Sequence, residues 1–194
     1  MANISERGID LIVRFEGFRP EWYQCSANVW TIGYGHAEGK RDGQVTEADL
    51  PPGYETPLTE EEAAELLAKD LSQYERTVED SVEVELSQNR FDALTSFCYN
   101  VGSGAFRGST LLKRVNEGKH REAADQFLRW KYVDGEVSDG LLRRRRAEAA
   151  LYREEPDEAF GIEPEPVDPA PVQPVPVSMD LDDPDHYPIR SVGI

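Results

Sequence analysis

A glutamate, a cysteine and a threonine lie close together near the start of this chain, at Glu16, Cys25 and Thr31 within EGFRPEWYQCSANVWTIGYGH (residues 16–36). Each type has its chemistry. A carboxylic acid that keeps its proton near neutral pH is a general acid, and a cysteine thiolate is a nucleophile or a fixed negative charge. Glu16 falls in the last turn of an apolar helix beside Phe15 and Phe18, at the negative end of the helix dipole. Dipole and desolvation both raise a carboxyl pKa there, while Arg14 and Arg19 oppose them. Taken alone, an ordinary surface glutamate at a helix end is the better reading. Thr31 sits in a strand-forming run, where β-propensity explains a threonine more often than chemistry does. Gly33 and Gly35 allow close backbone approach. His36 has no second His, Cys or acid around it at metal-ligand spacing, so no metal is expected there.

The elements that must hold these residues can be read from periodicity. Ser5 caps a first helix carrying Ile9, Ile12, Val13 and Phe15, which ends near Glu16–Gly17 because Gly17 suits a left-handed C′ position and Pro20 follows. Trp22 to Tyr34 is rich in strand formers around a turn near Ser26–Asn28 and predicts a hairpin, with a third strand around Gln44–Thr46. Ala48–Pro57 is a loop with three prolines. Thr59 and Glu62 form a capping box. Behind it, Ala63, Leu67, Leu71, Tyr74, Val78 and Val82 make one apolar stripe, predicting a helix of about 23 residues and about 34 Å. Further helices are predicted from Ser87, with Phe91, Leu94, Cys98 and Val101 facing the core, and over Thr110–Asn116, His120–Trp130 and Ser138–Arg153. The fold class is α+β: a small hairpin-bearing N-terminal lobe, a long linking helix and a helical C-terminal lobe.

Composition narrows the function classes. Of 194 residues, 38 are acidic and 21 are Lys or Arg, a net charge of −17, which argues against nucleic-acid binding and against attraction to anionic lipid. No apolar run is long enough for a membrane span, and residues 1–10 lack the apolar core of a secretory signal. Two cysteines make no disulfide framework, as expected in a reducing cytoplasm. The charge is uneven: residues 93–153 carry +5, residues 38–92 carry −11 and residues 154–194 carry −10. That last stretch also holds nine of the 13 prolines. We therefore expect a domain over 1–155 and an extended, disordered, proline-rich acidic tail over 156–194. Such a tail is either a solubilising appendage or a competitor that folds back on the basic half.

The order Glu16, Cys25, Thr31 within TIGYGH, followed by NRFDALTSFCYNVG (89–102), FRGSTLLKRVN (106–116), AADQFLRW (123–130) and GLLRRRRAEAALY (140–152), resembles the phage endolysin lysozymes of glycoside hydrolase family twenty-four. The resemblance covers nearly all of the chain but the tail. It implies a lysozyme-like fold and cleavage of the β-1,4 bond between N-acetylmuramic acid and N-acetylglucosamine in bacterial peptidoglycan. Glu16 would protonate the leaving oxygen and Thr31 would help place a water. Many members have Asp where this chain has Cys25, and the cysteine form is itself a recognised variant. A thiolate there either supplies charge against an oxocarbenium-like state or attacks as a nucleophile. By the same resemblance Tyr99, Asn100 and Ser109 line the sugar cleft, although a core tyrosine and a helix-capping serine are equally good local readings. His36 would be an ion-paired structural histidine, and Cys98 a small core residue.

Four successive arginines, Arg143–Arg146, sweep about 300° around a helix, so at least one must face inward and find an acid or an anionic ligand. In the resembling family an arginine of the last helix pairs with the catalytic glutamate. The expectation is a monomeric endolysin, acting without metal or cofactor, that accumulates in the host bacterial cytoplasm and reaches the wall through a lesion made by a holin. A lytic transglycosylase, and a non-catalytic peptidoglycan-binding virion protein, are the alternatives.

Overall fold

A computed structural model describes residues 3–24, 29–37, 49, 53–133 and 135–154. The turn at Ser26–Asn28, the third strand anticipated at Gln44–Thr46, Cys25 and the tail lie outside the described residues.

The first helix, α1 (Glu6–Glu16), begins where Ser5 accepts the backbone N–H of Gly8 and stops at Gly17, whose φ of 71° places it in the left-handed region. Three antiparallel strands follow in the order β1 (Arg19–Gln24), β2 (Trp30–Gly33) and β3 (His36–Ala37). Thr31 pairs with Tyr23 on one side and Ala37 on the other. The third strand thus comes straight after a tight turn at Tyr34–Gly35.

The long helix α2 (Glu60–Ser81) has 22 residues and spans about 33 Å. Its capping box is complete: Thr59 Oγ1 accepts the Glu62 N–H, and Glu62 Oε2 accepts the Thr59 N–H at 2.8 Å. Those bonds hold the Glu62 carboxyl below its ordinary pKa. Ala63, Leu66, Leu67 and Leu71 enter one core with Ile12, Ile32, Tyr34, Tyr54 and Leu58, while Val78, two turns on, enters a second core. The apolar stripe read from the sequence therefore links two lobes.

The second core is built on α3 (Gln88–Val101), every residue of which from Phe91 to Cys98 is buried. It is covered by α4 (Ser103–Gly108), α5 (Thr110–Asn116), α6 (His120–Gln126) with a 3-10 turn over Phe127–Arg129, and α7 (Asp139–Arg153). Phe97 lies at the middle, its ring edge-to-face with Phe106, Phe127 and Trp130 at 5.3–6.4 Å. Three details differ from expectation. α3 is buried all round and not along one stripe, α4 is an additional short helix, and a two-stranded hairpin, β4 (Tyr132–Val133) with β5 (Glu136–Val137), precedes α7.

Candidate active site

Glu16 closes α1 as a buried residue, its side chain only 1% exposed. Gly17 ends the helix, so the carboxylate lies just where the chain turns into the sheet. Its cation partner comes from far along the chain: Arg144 Nη1 donates to Glu16 Oε1 at 2.5 Å across 128 residues. Arg14 and Arg19, the cations nearest in sequence, instead lie over the rings of Phe15 and Tyr23. Of the four arginines, Arg144 and Arg145 turn inward and Arg143 and Arg146 outward.

Arg144 is itself held at several points. Its Nε donates to Glu148 Oε1 at 3.0 Å, its Nη2 to the Ser96 carbonyl at 3.3 Å, and its guanidinium lies over the Phe15 ring. Burial pulls its pKa down, but the charges of Glu16 and Glu148 outweigh that and raise it, so it stays a cation. Arg145 donates to Asn100 Oδ1 and contacts Glu148 Oε2 at 3.0 Å; burial lowers its pKa to about 10 against the pull of Glu148, which still leaves it charged at neutral pH. Two carboxylates and two guanidiniums thus interlock between α1, α3 and α7.

The β2–β3 turn approaches Glu16 from the other side. Gly35 has φ 94°, and a Cβ there would lie 2.8 Å from Tyr99 Oη and 3.4 Å from Glu16 Oε2. Only a bare backbone fits. Tyr99 Oη donates to the Tyr34 carbonyl at 2.8 Å, and its pKa is pushed up by burial first and by the Glu16 charge next, so it remains a donor.

The expected residues divide by what their side chains touch. Glu16 and Tyr99 come together beside Gly35. Thr31 is buried on β2, its hydroxyl donating to the Val29 carbonyl at 3.1 Å. Asn100 is 4% exposed and accepts from Arg145; Ser109 is equally buried, donates to the Phe106 carbonyl at 2.8 Å and caps α5 through the Leu112 N–H at 3.1 Å. These groups are engaged within the protein. Cys25 lies outside the described residues. His36 Nδ1 meets Asp70 Oδ2 at 2.8 Å, which supplies the acidic partner expected of it. Cys98 is a free thiol in the helical core whose pKa burial raises to about 12, which keeps it neutral and unreactive. Among the described residues, no three His, Cys, Asp or Glu side chains gather where they could hold a metal ion.

Glu148 and Ser96 were missed. A signal for Glu148 was present, since it stands four residues after Arg144 and three after Arg145 on one helix, the spacing of neighbours on a helical face.

Residues 13–148 match the family model described as phage lysozyme. The chain belongs to the phage lysozyme family. It is 41% identical over 152 residues to the endolysin of Salmonella phage P22, covering 78% of this chain and 99% of that protein. With the endolysin of Acyrthosiphon pisum secondary endosymbiont phage 1 it shares 38% identity over 154 residues, covering 77% and 97%. A protein named SAR-endolysin, from Bacteriophage PS119, is 39% identical over 133 residues, covering 69% and 73%. Among solved structures, a P22 lysozyme mutant superposes with a TM-score of 0.65 at 41% identity, over 78% of this chain and 99% of that one. The muramidase domain of SpmX from Asticaccaulis excentricus superposes with a TM-score of 0.68 at 38% identity, over 80% and 100%. The lysozyme-like α+β fold expected from the sequence is thus found. As a phage lysozyme family member the chain is a lysozyme-type glycosidase, an endolysin that acts in cell lysis.

Proposed function

We propose that Glu16 is the general acid that protonates the leaving oxygen as the β-1,4 bond between N-acetylmuramic acid and N-acetylglucosamine is cleaved. The observation that supports this is the burial of Glu16 at the end of α1, with the side-chain-free backbone of Gly35 close to its Oε2. A carboxylic acid held there exchanges its proton with a bound glycan and not with bulk water. Loss of the leaving group generates an oxocarbenium-like sugar, which calls for negative charge and a nucleophile on the opposite face. We assign that side of the reaction to the β1–β2 hairpin, with Cys25 as its thiolate and Thr31 as the group that orients water. We assign sugar binding to Tyr99, Asn100 and Ser109; Tyr99 meets the Gly35 turn beside Glu16, while Asn100 and Ser109 are buried on Arg145 and at the start of α5.

Clearing of permeabilised bacteria tests this. Glu16→Gln should abolish turnover, and a Glu16→Gln protein that still clears at the wild-type rate would overturn the assignment. Cys25→Ser should lose activity and Cys25→Asp keep it if the thiolate supplies charge. Mass spectrometry of the products separates hydrolysis from transglycosylation, because the anhydro product is lighter by one water. Retained wall binding with no turnover would favour a non-catalytic role.

For release we infer passage through a holin lesion. Among the described residues no helix is long and apolar enough to cross a membrane. The relative named SAR-endolysin keeps a holin-independent route as the alternative outcome. Lysis on expression without a holin would decide for it.

A further inference from the structure

Glu148 is a completely buried carboxylate on α7. Its Oε1 accepts from Ser96 Oγ at 2.9 Å and from Arg144 Nε at 3.0 Å, and its Oε2 lies 3.0 Å from Arg145 Nη1. Burying a carboxylate is expensive unless charge and hydrogen bonds compensate it. Here two guanidiniums surround it, one more than it needs, and the second carboxylate that balances them is Glu16. With Glu16 ionised the four charges cancel. With Glu16 protonated, one positive charge is left over in a buried site.

We propose that Glu148 is a positioning residue for the glycosidase reaction, fixing the Arg144 guanidinium beside Glu16 and neutralising Arg145, so that Glu16 faces the uncompensated charge of one guanidinium and not two. This deepens the reading of Glu16 as general acid and rests on it. The geometry shows how the coupling works. Fixing Arg144 Nε on Glu148 leaves Nη1 aimed at Glu16, while Nη2 is held by the Ser96 carbonyl. Arg145 is anchored on Asn100 and over the Phe97 ring at 4.8 Å, so it stays in place when its counter-charge is removed. Among the described residues, other polar groups around this site come from elements besides α7. Tyr99 of α3 is a neutral donor, Asp70 of α2 is paired with His36 of β3, and Arg14 on the same helix is exposed over Phe15.

The test is the pH profile of kcat/KM for wall clearing, measured on the full chain. A general acid works while protonated, so activity falls as pH rises through its alkaline limb. Glu148→Gln leaves the cluster one charge more positive, disfavours protonated Glu16, and should move that limb to lower pH by about one unit or more. Arg145→Gln does the reverse and should move it to higher pH. Glu148→Asp and the double variant Arg145→Gln/Glu148→Gln, in which the charges balance again, should return it near wild type. Two single variants whose limbs stay put, or move in the same direction, overturn the proposal. Thermal unfolding is recorded alongside, since a smaller folded fraction scales a profile without moving its limbs. Should Glu148→Gln fail to fold, Arg145→Gln and the double variant decide: a raised limb restored in the double supports the proposal, and an unmoved limb overturns it. Glu16→Gln is run in parallel. If it is active, the general-acid reading has failed; if it is inactive while the other limbs are fixed, only the role of Glu148 has.

Discussion

Gly35 shows how a residue without a side chain shapes this site. At φ 94° its backbone passes so close to Tyr99 Oη and Glu16 Oε2 that a methyl group at that position would collide with the first and crowd the second. Gly35→Ala is therefore expected to cost about 1–3 kcal/mol through backbone strain, measurable as a lower denaturation midpoint. Clearing activity should fall further than the loss of folded protein explains, because the added carbon covers the proton donor. Equal losses of activity and folded fraction would show that Gly35 matters for folding alone. The same scale separates the two tempting residues that chemistry does not need here. His36 is tied to Asp70, and Cys98 is sealed in the helical core as a neutral thiol.

At the scale of elements, α1 is the lever that places Glu16, and its other end is fixed by a second buried carboxylate. Asp92 of α3, with no exposed surface, accepts the Ser5 N–H at 2.9 Å, the Ser5 hydroxyl and the Gln88 amide at 2.7 Å. A negative charge at a helix N-terminus also suits the dipole. Replacing Asp92 with Ala removes the acceptor of three hydrogen bonds at once and should destabilise the protein by about 2–3 kcal/mol, read from denaturant unfolding; a change within the range of a neutral surface substitution would show that α1 is held elsewhere. The long helix α2 needs no such brace, because its capping box starts it and its side chains anchor it in both cores.

For the whole molecule, the division of charge matters more than the total. The helical half from residue 93 to 153 is basic, while the preceding stretch and the residues after 153 are acidic. Surface charges of this kind act over about 30 Å at 0.01 M ionic strength and about 3 Å at 1 M. If residues 156–194 serve as a solvated appendage, a 1–155 protein will clear cells as fast as the full chain across that range. A gain on truncation that appears only at low salt would instead assign the tail to the basic half as a competitor of the wall. Ion pairs within the basic half, such as Arg114 with Glu117 and Arg153 with Asp125, are already counted in its net charge, so the excess is carried by other residues.

Local pattern determined a great deal of this protein. Ser5, Thr59, Ser87, Ser109 and Ser138 start helices because a side-chain oxygen can reach a nearby N–H, and the α2 stripe repeats at helical spacing. The position of Glu16 at the end of α1 follows from Gly17 and is legible in the same way. Other features were not. The third strand forms beside β2 because the turn at Tyr34–Gly35 folds it there, and α3 is buried all round because other helices cover each side of it. Nothing local said which arginine meets Glu16, since Arg14 and Arg19 are near in sequence and Arg144 is 128 residues away. That pairing depends on how α7 packs against α1 and α3, and so does the balance of two carboxylates against two guanidiniums. Sequence spacing sets what one helix presents on each face; only packing decides which charge on another helix will meet it in the buried interior.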